Sequence, residues 1–433
     1  MRRGHAGALA LALLASACGP GAVGPATGVP EMKAPTGLPE MKPPVLLLDA
    51  TALLDARQAV AAGAALDGLA ELRREADAAA SAVPATVTDK TAPAPSGDPH
   101  DYVSLSIYWW PDPAKPGGVP YLNNDGQINP ESSDRTRYDA SKLNRMVSSV
   151  ETLALAAYVT GERVYADAAA KWLRTWFLDE KTRMTPSMRY AQIIPGRAEP
   201  RGTGIIDSRQ LLRAVDAALL LQGTPSWSAA DDTALRVWFG DLAGWLTTSV
   251  NGQMEAKAAN NHGTWYDAQL AGFAVYSGRD ALAKETLTRV ATQRVAQIAA
   301  DGKQPPELAR TRSYHYSAFN LLAFSVAADL APAAGLDIWH GSGPGIRAGI
   351  DLLLPVVDGA SWPYPDIDKI DAYKELAPVL ARASRAYPGA GYDRVLAKLA
   401  AKASAASGLR LLLGAFGSLG GTAAAPAPLV SAS

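Results

Sequence analysis

Apolar residues recur at three- and four-residue spacing over 47–83, 139–160, 163–178, 207–222, 228–249, 264–277, 279–300, 313–332, 345–355, 370–386 and 392–405, and each stretch predicts an amphipathic helix. Period-two alternation is scarce, so few strands are expected. Gly161 and Gly278 fall where helices should stop, and Pro388-Gly389 separates the last pair. The segments Ala157-Tyr158-Val159-Thr160-Gly161-Glu162-Arg163 and Val275-Tyr276-Ser277-Gly278-Arg279-Asp280 read as one hairpin turn used twice. Repeated helical hairpins imply a solenoid or a closed ring. We expect an all-α chain folded as an α/α toroid, an incomplete barrel of about six or seven helical hairpins spanning 46–413. The connections 98–138, 179–206, 251–263 and 301–313 are longer than packing requires, and such loops commonly carry function.

With 433 residues, 48% of them hydrophobic, the chain has ample material for a large core, which excludes a disordered protein or a disulfide-stapled miniature. The formal net charge of -1 offers no global attraction to nucleic acid or anionic lipid. Arg2 and Arg3, the apolar run 6–15 and the Ala15-Ser16-Ala17 pattern read as a signal peptide over 1–18, too short to span a bilayer. An exported protein of the periplasm is expected. Cys18, the sole cysteine, resembles the lipid-attachment residue of bacterial lipoproteins, which would make this an outer-membrane lipoprotein; an ordinary cleaved signal is the alternative. Residues 19–45 read as a flexible Pro/Gly-rich linker and 414–433 as a disordered tail.

Four stretches carry candidate chemistry. Tyr108-Trp109-Trp110 in a proline-rich loop concentrates flat apolar surface of the kind that stacks on sugar rings, although a loop packed over the core would look the same. Between Lys181 and Arg209 six basic residues face two acidic ones, with Arg189, Tyr190, Gln192 and Arg197 among the candidates. Arginine suits carboxylates through its planar fork, although solvated surface arginines are the plainer reading. Asn260-Asn261-His262 stands just before a predicted helix start, with Thr264 a candidate cap and Trp265 beside it. Arg310, Tyr314, His315 and Tyr316 crowd the start of another.

Asn261-His262 followed 54 residues later by Tyr316, with Arg310 six residues before that tyrosine, resembles the alginate lyase family. The Tyr-Trp-Trp-Pro-Asp-Pro loop resembles a bacterial branch that includes lyases for polymannuronate and glucuronan. The resemblance covers roughly residues 98–330. It implies an α/α toroid, metal-free syn elimination without a cofactor, and a catalytic set of Asn261, His262, Arg310 and Tyr316. Substrate contacts are expected from Tyr108, Trp109, Trp110, Arg189, Tyr190, Gln192, Arg197, Asn260, Trp265, Tyr314 and His315. An alignment fixed on Tyr314-His315 would make Tyr314 the catalytic tyrosine; the spacings favour Tyr316.

The chemistry of a 4-linked uronate explains why such groups are needed. Its C5 hydrogen is barely acidic because removal adds charge beside a carboxylate, so the enzyme must quench that carboxylate and stabilise the enolate-like intermediate. Arg310 and Asn261 suit that task. A tyrosine whose ordinary pKa near 10 is lowered by an adjacent arginine can take H5 and protonate O4, with His262 the alternative base. The expected partner is an acidic polysaccharide, and five histidines argue against a histidine-rich metal site. Two other readings stand beside this one. A glycoside hydrolase needs two carboxyl groups, for which Asp207, Glu255, Asp267, Glu307, Asp366 and Asp368 are available. A helical-repeat glycan-binding protein of the envelope needs only the hairpins.

Overall fold

The computed structural model describes residues 42–341, 343–401 and 403–415. The signal peptide with Cys18, nearly all of the expected linker and most of the expected tail lie outside the described residues. Helices dominate: α1 (Ala50–Ala61), α2 (Leu69–Ser81), α3 (Ala140–Thr160), α4 (Arg163–Leu173), α5 (Leu211–Leu221), α6 (Ala229–Thr248), α7 (Val250–Ala256) and α8 (Asn261–Tyr276). They continue with α9 (Asp280–Thr292), the single turn α10 (Pro305–Leu308), α11 (Ser313–Leu330), the short α12 (Ile338–Gly341), α13 (Gly345–Val357), α14 (Ala372–Ala386), α15 (Tyr392–Ala400) and α16 (Ala405–Leu412).

Packing follows a ring. The α3 helix lies against α1, α2, α4 and α5; α8 against α5, α6, α9 and α11; α11 against α13 and α14; α14 against α15 and α16. From there α16 returns to α2, closing the α/α toroid. Every residue of α5 is buried, and α8 and α11 are buried nearly throughout, because they face neighbours on all sides. This explains why α11 is apolar around its whole circumference: most of it lies inside the protein. The ring is tied across its base by Asp216 of α5, whose carboxylate accepts the backbone N–H groups of Leu46, Leu47 and Leu48 at 2.6–2.9 Å. At the closing seam Arg410 pairs with Glu75 and bonds Thr152, and Glu71 accepts the N–H of Ala406.

Several boundaries depart from the periodicity. The stretch 47–83 is two helices, broken where Gly63 and Gly68 adopt φ of +77° and +80°. The last predicted helix, 392–405, ends early as α15, the unpredicted α16 follows it, and Ala415, assigned to the tail, is packed on the core. Two small ribbons occupy the long connections: β1 (Val103–Leu105) pairs in parallel with β4 (Tyr190–Ile193), and β2 (Trp109–Trp110) pairs antiparallel with β3 (Leu122–Asn123). Their residues are too few to give an alternating signature.

Candidate active site

The starts of α3, α5, α8 and α11 converge with the β2–β3 hairpin around a cavity of about 310 Å³. The first N–H groups of α8 and α11 already have acceptors in Glu307, Asn260, the Pro365 carbonyl and Asp366, so the pull on an anionic guest comes from arginine side chains. Arg201, Arg209, Arg310 and Arg312 line it, against Asp125 and Asp207. Burial pushes the Arg209 guanidinium down to about 10, which still leaves it charged at neutral pH.

Asn261, His262, Arg310 and Tyr316 all line this cavity. The first two open α8, which begins three residues earlier than the periodicity predicts. Its cap is Asn260 rather than Thr264: the Asn260 side chain accepts the His262 N–H, while Thr264 is buried in the helix. Gly263 permits this start, since a Cβ there would lie 2.0 Å from the Ala258 carbonyl oxygen and 2.4 Å from Arg294. Two buried carboxylates hold the pair. Glu307 accepts the backbone N–H of Asn261 at 2.6 Å and its amide nitrogen at 2.7 Å, while Glu255 lies 2.6 Å from Nδ1 of His262. The latter contact leaves Nε2 as the nitrogen available for chemistry.

Tyr316 sits one turn into α11, and its hydroxyl donates to that of Tyr108 at 2.8 Å. The Arg310 guanidinium lies 3.8 Å above the Tyr316 ring and grips Asp125 at 2.6 Å. Burial pushes the Tyr316 phenol up; Arg310 opposes this without overcoming it. The expectation that the arginine would lower this phenol below its ordinary value is therefore corrected: at rest the hydroxyl is protonated.

The other expected contacts divide. Tyr108, Trp109, Gln192 and His315 line the cavity, His315 with Nδ1 2.7 Å from Glu375. Gln192 adopts φ of +51°, a strained value for a residue with a side chain, and donates to Asp207 at 2.8 Å. Arg197 stacks over Trp109 at 4.8 Å and lines a neighbouring recess with Arg201. Trp110 turns away and donates to the Gln127 carbonyl. Arg189 and Tyr190 stack on each other outside the cavity. Trp265 and Tyr314 are fully buried in the core, where the Tyr314 hydroxyl donates to the Leu353 carbonyl at 3.3 Å, so neither can touch substrate. Of the two neighbouring tyrosines, Tyr316 alone reaches the cavity.

Sequence reasoning missed Asp125 and Arg312 as lining residues, counted Arg201 and Arg209 only as members of the basic patch, and treated Asp207, Glu255 and Glu307 only as hydrolase acids. Asp207 instead accepts from Tyr102, Ser104 and Gln192. With Glu307 and Glu255 also engaged, the carboxyl groups act as braces for other side chains.

The alginate lyase family model matches residues 86–362. Among solved structures, an alginate lyase from Bacteroides ovatus is 36% identical, with 86% of this chain and 99% of that chain covered and a TM-score of 0.79. Alginate lyase A1-III from Sphingomonas species A1 is 19% identical, with coverage of 86% and 97% and a TM-score of 0.53. A variant of that enzyme complexed with a tetrasaccharide is 18% identical, with coverage of 79% and 88% and a TM-score of 0.50. No curated protein matches the chain.

Proposed function

Since the chain belongs to the alginate lyase family and is a polysaccharide lyase, we propose that it cleaves β-1,4-linked polyuronate by syn β-elimination, leaving 4,5-unsaturated uronate ends. The observation that carries this reading is the gathering of Asn261, His262, Arg310 and Tyr316 on one arginine-lined cavity. Arginine and amide donors offset the charge that builds on the uronate carboxylate as H5 leaves. The tetrasaccharide held by a variant of the Sphingomonas enzyme fits an acidic glycan as guest. Polymannuronate is the first-choice substrate by family association, and glucuronan, which differs only in configuration at C2, is the second. The N-terminal pattern supports an exported enzyme, with Cys18 a candidate lipid anchor.

Two proton routes serve this elimination. In one, Tyr316 takes H5 and returns the proton to O4. In the other, His262 takes H5 through Nε2 and Tyr316 acts as acid alone. The second is favoured by the protonated state that burial imposes on the Tyr316 phenol. Incubation with polymannuronate, polyguluronate and glucuronan tests the function: a new ultraviolet-absorbing end marks elimination, and reducing ends without that absorbance would overturn it. The pH dependence of kcat/KM then separates the routes. An acid limb that disappears in His262→Ala supports the histidine base; one that persists in that variant supports Tyr316 alone.

A further inference from the structure

Asn261 has one unsettled atom. Its amide nitrogen and backbone N–H both meet Glu307, while its Oδ1 is buried with no hydrogen-bond partner. A buried carbonyl oxygen left unpaired keeps its full desolvation penalty. It is also badly placed for the proposed work, since the side chain that should meet a uronate carboxylate carries a lone-pair oxygen not bonded to anything. Amide oxygen and nitrogen exchange places on a 180° rotation, and the hydrogen-bond partners decide between the two.

We infer that Glu307 is a positioning residue acting in its protonated form, whose acid hydrogen turns the Asn261 amide so that its NH2 faces the cavity. With a proton on Oε2, Glu307 donates to Oδ1 of the rotated amide while Oε1 keeps the backbone N–H. The oxygen Oδ1 is then partnered, and the amide nitrogen takes its former place with two N–H donors kept for the substrate carboxylate. An ionised Glu307 has no hydrogen to give and forces the opposite orientation.

The surroundings suit a neutral acid. Glu307 is 1% exposed, and burial raises its carboxyl above the usual range. The ionisable groups facing it are Arg310 on its own segment and His262 from α8; both favour the charged form, and burial outweighs them. On α11, Tyr316 is turned to Tyr108 and Arg310 instead. An arriving uronate carboxylate adds a like charge nearby and drives Glu307 further toward its protonated state.

This inference rests on the lyase reading for its purpose, but its test includes a measurement that needs no substrate. Glutamine reproduces the protonated acid, an N–H donor toward Oδ1 and an oxygen for the backbone, whereas alanine does neither. Glu307→Gln should keep kcat/KM within about threefold of the parent, and Glu307→Ala should lose about 100-fold or more, the scale of a misplaced oxyanion donor. The parent should lose kcat/KM as pH rises through the Glu307 pKa, and in Glu307→Gln that alkaline limb should move up or vanish. The infrared difference between parent and Glu307→Gln at neutral pH should show the carbonyl band of a protonated carboxyl. Circular dichroism confirms that each variant is folded. A Glu307→Gln variant as impaired as Glu307→Ala, an unmoved alkaline limb, or a carboxylate band in the difference spectrum would overturn the inference. Absence of elimination on every uronate would sink the lyase reading alone and leave the infrared result to decide the state of Glu307.

Discussion

Tyr314 and Tyr316 are two residues apart on one helix, yet a turn of 200° separates their directions, and only one meets the cavity. Tyr316→Phe should therefore abolish elimination, by about 1000-fold or more in kcat, while losing only the hydrogen bond to Tyr108, about 1 kcal/mol of stability. Tyr314→Phe should leave kcat near that of the parent and cost stability alone. Steady-state kinetics beside thermal melts check both, and reversal of the two outcomes would remove Tyr316 from the mechanism. At this scale the sequence made the four residues gathered on the cavity legible because they stand in short, chemically unusual clusters. The bracing glutamates were not legible in that role. Glu255 and Glu307 look like any acids in a loop until the fold sets each beside its partner on α8.

Helices were easier to read than their ends. The start of α8 was placed too late because its first turn, Asn261-His262-Gly263, is polar and contains glycine; what sustains it is the Asn260 cap and the absence of a Cβ at Gly263. Gly263→Ala should lower the melting temperature and also reduce kcat/KM, since the clash with the Ala258 carbonyl shifts both Asn261 and His262. A variant that melts earlier but keeps full kcat/KM would show that this turn tolerates displacement. The start of α6 offers a pH test. Arg174 grips Asp231 at 2.7 Å, and Arg174 together with Ser228 holds that carboxyl well below the usual range. A depressed folded-state pKa stabilises above the unfolded value near 4 and is lost as pH falls through the folded one. Asp231→Asn should therefore melt earlier than the parent at pH 7, with the gap narrowing in acid below pH 4.

At the scale of the whole molecule, periodicity gave the toroid but not its closure. Nothing in the apolar pattern marks Asp216, the one acid of a helix apolar but for Arg213, as the group that ties down residues 46–48. Asp216→Ala should leave three N–H groups short of an acceptor and remove a charge facing the buried Arg382, costing roughly 3 kcal/mol or more. Chemical denaturation would measure this; a loss under about 1 kcal/mol would mean that these groups find other partners. Activity at temperatures where the variant remains folded should be unchanged, because neither Asp216 nor residues 46–48 line the cavity.

The β2–β3 hairpin holds one more consequence. It reaches Arg310 through Asp125 and the 197–201 segment through Trp109, so the resting arginine already has a carboxylate in its fork. Asp125 thus behaves as a tethered competitor, present at an effective concentration on the order of millimolar. A single free uronate has to outbid it unaided, while a long chain gripped at several points recruits the binding strength of its other rings. The enzyme would then shed its short products and keep its polymer. Asp125→Asn should invert that preference, tightening inhibition by di- and trisaccharide products more than it lowers KM for polymer. Equal changes in both constants would show that the aspartate only positions the arginine.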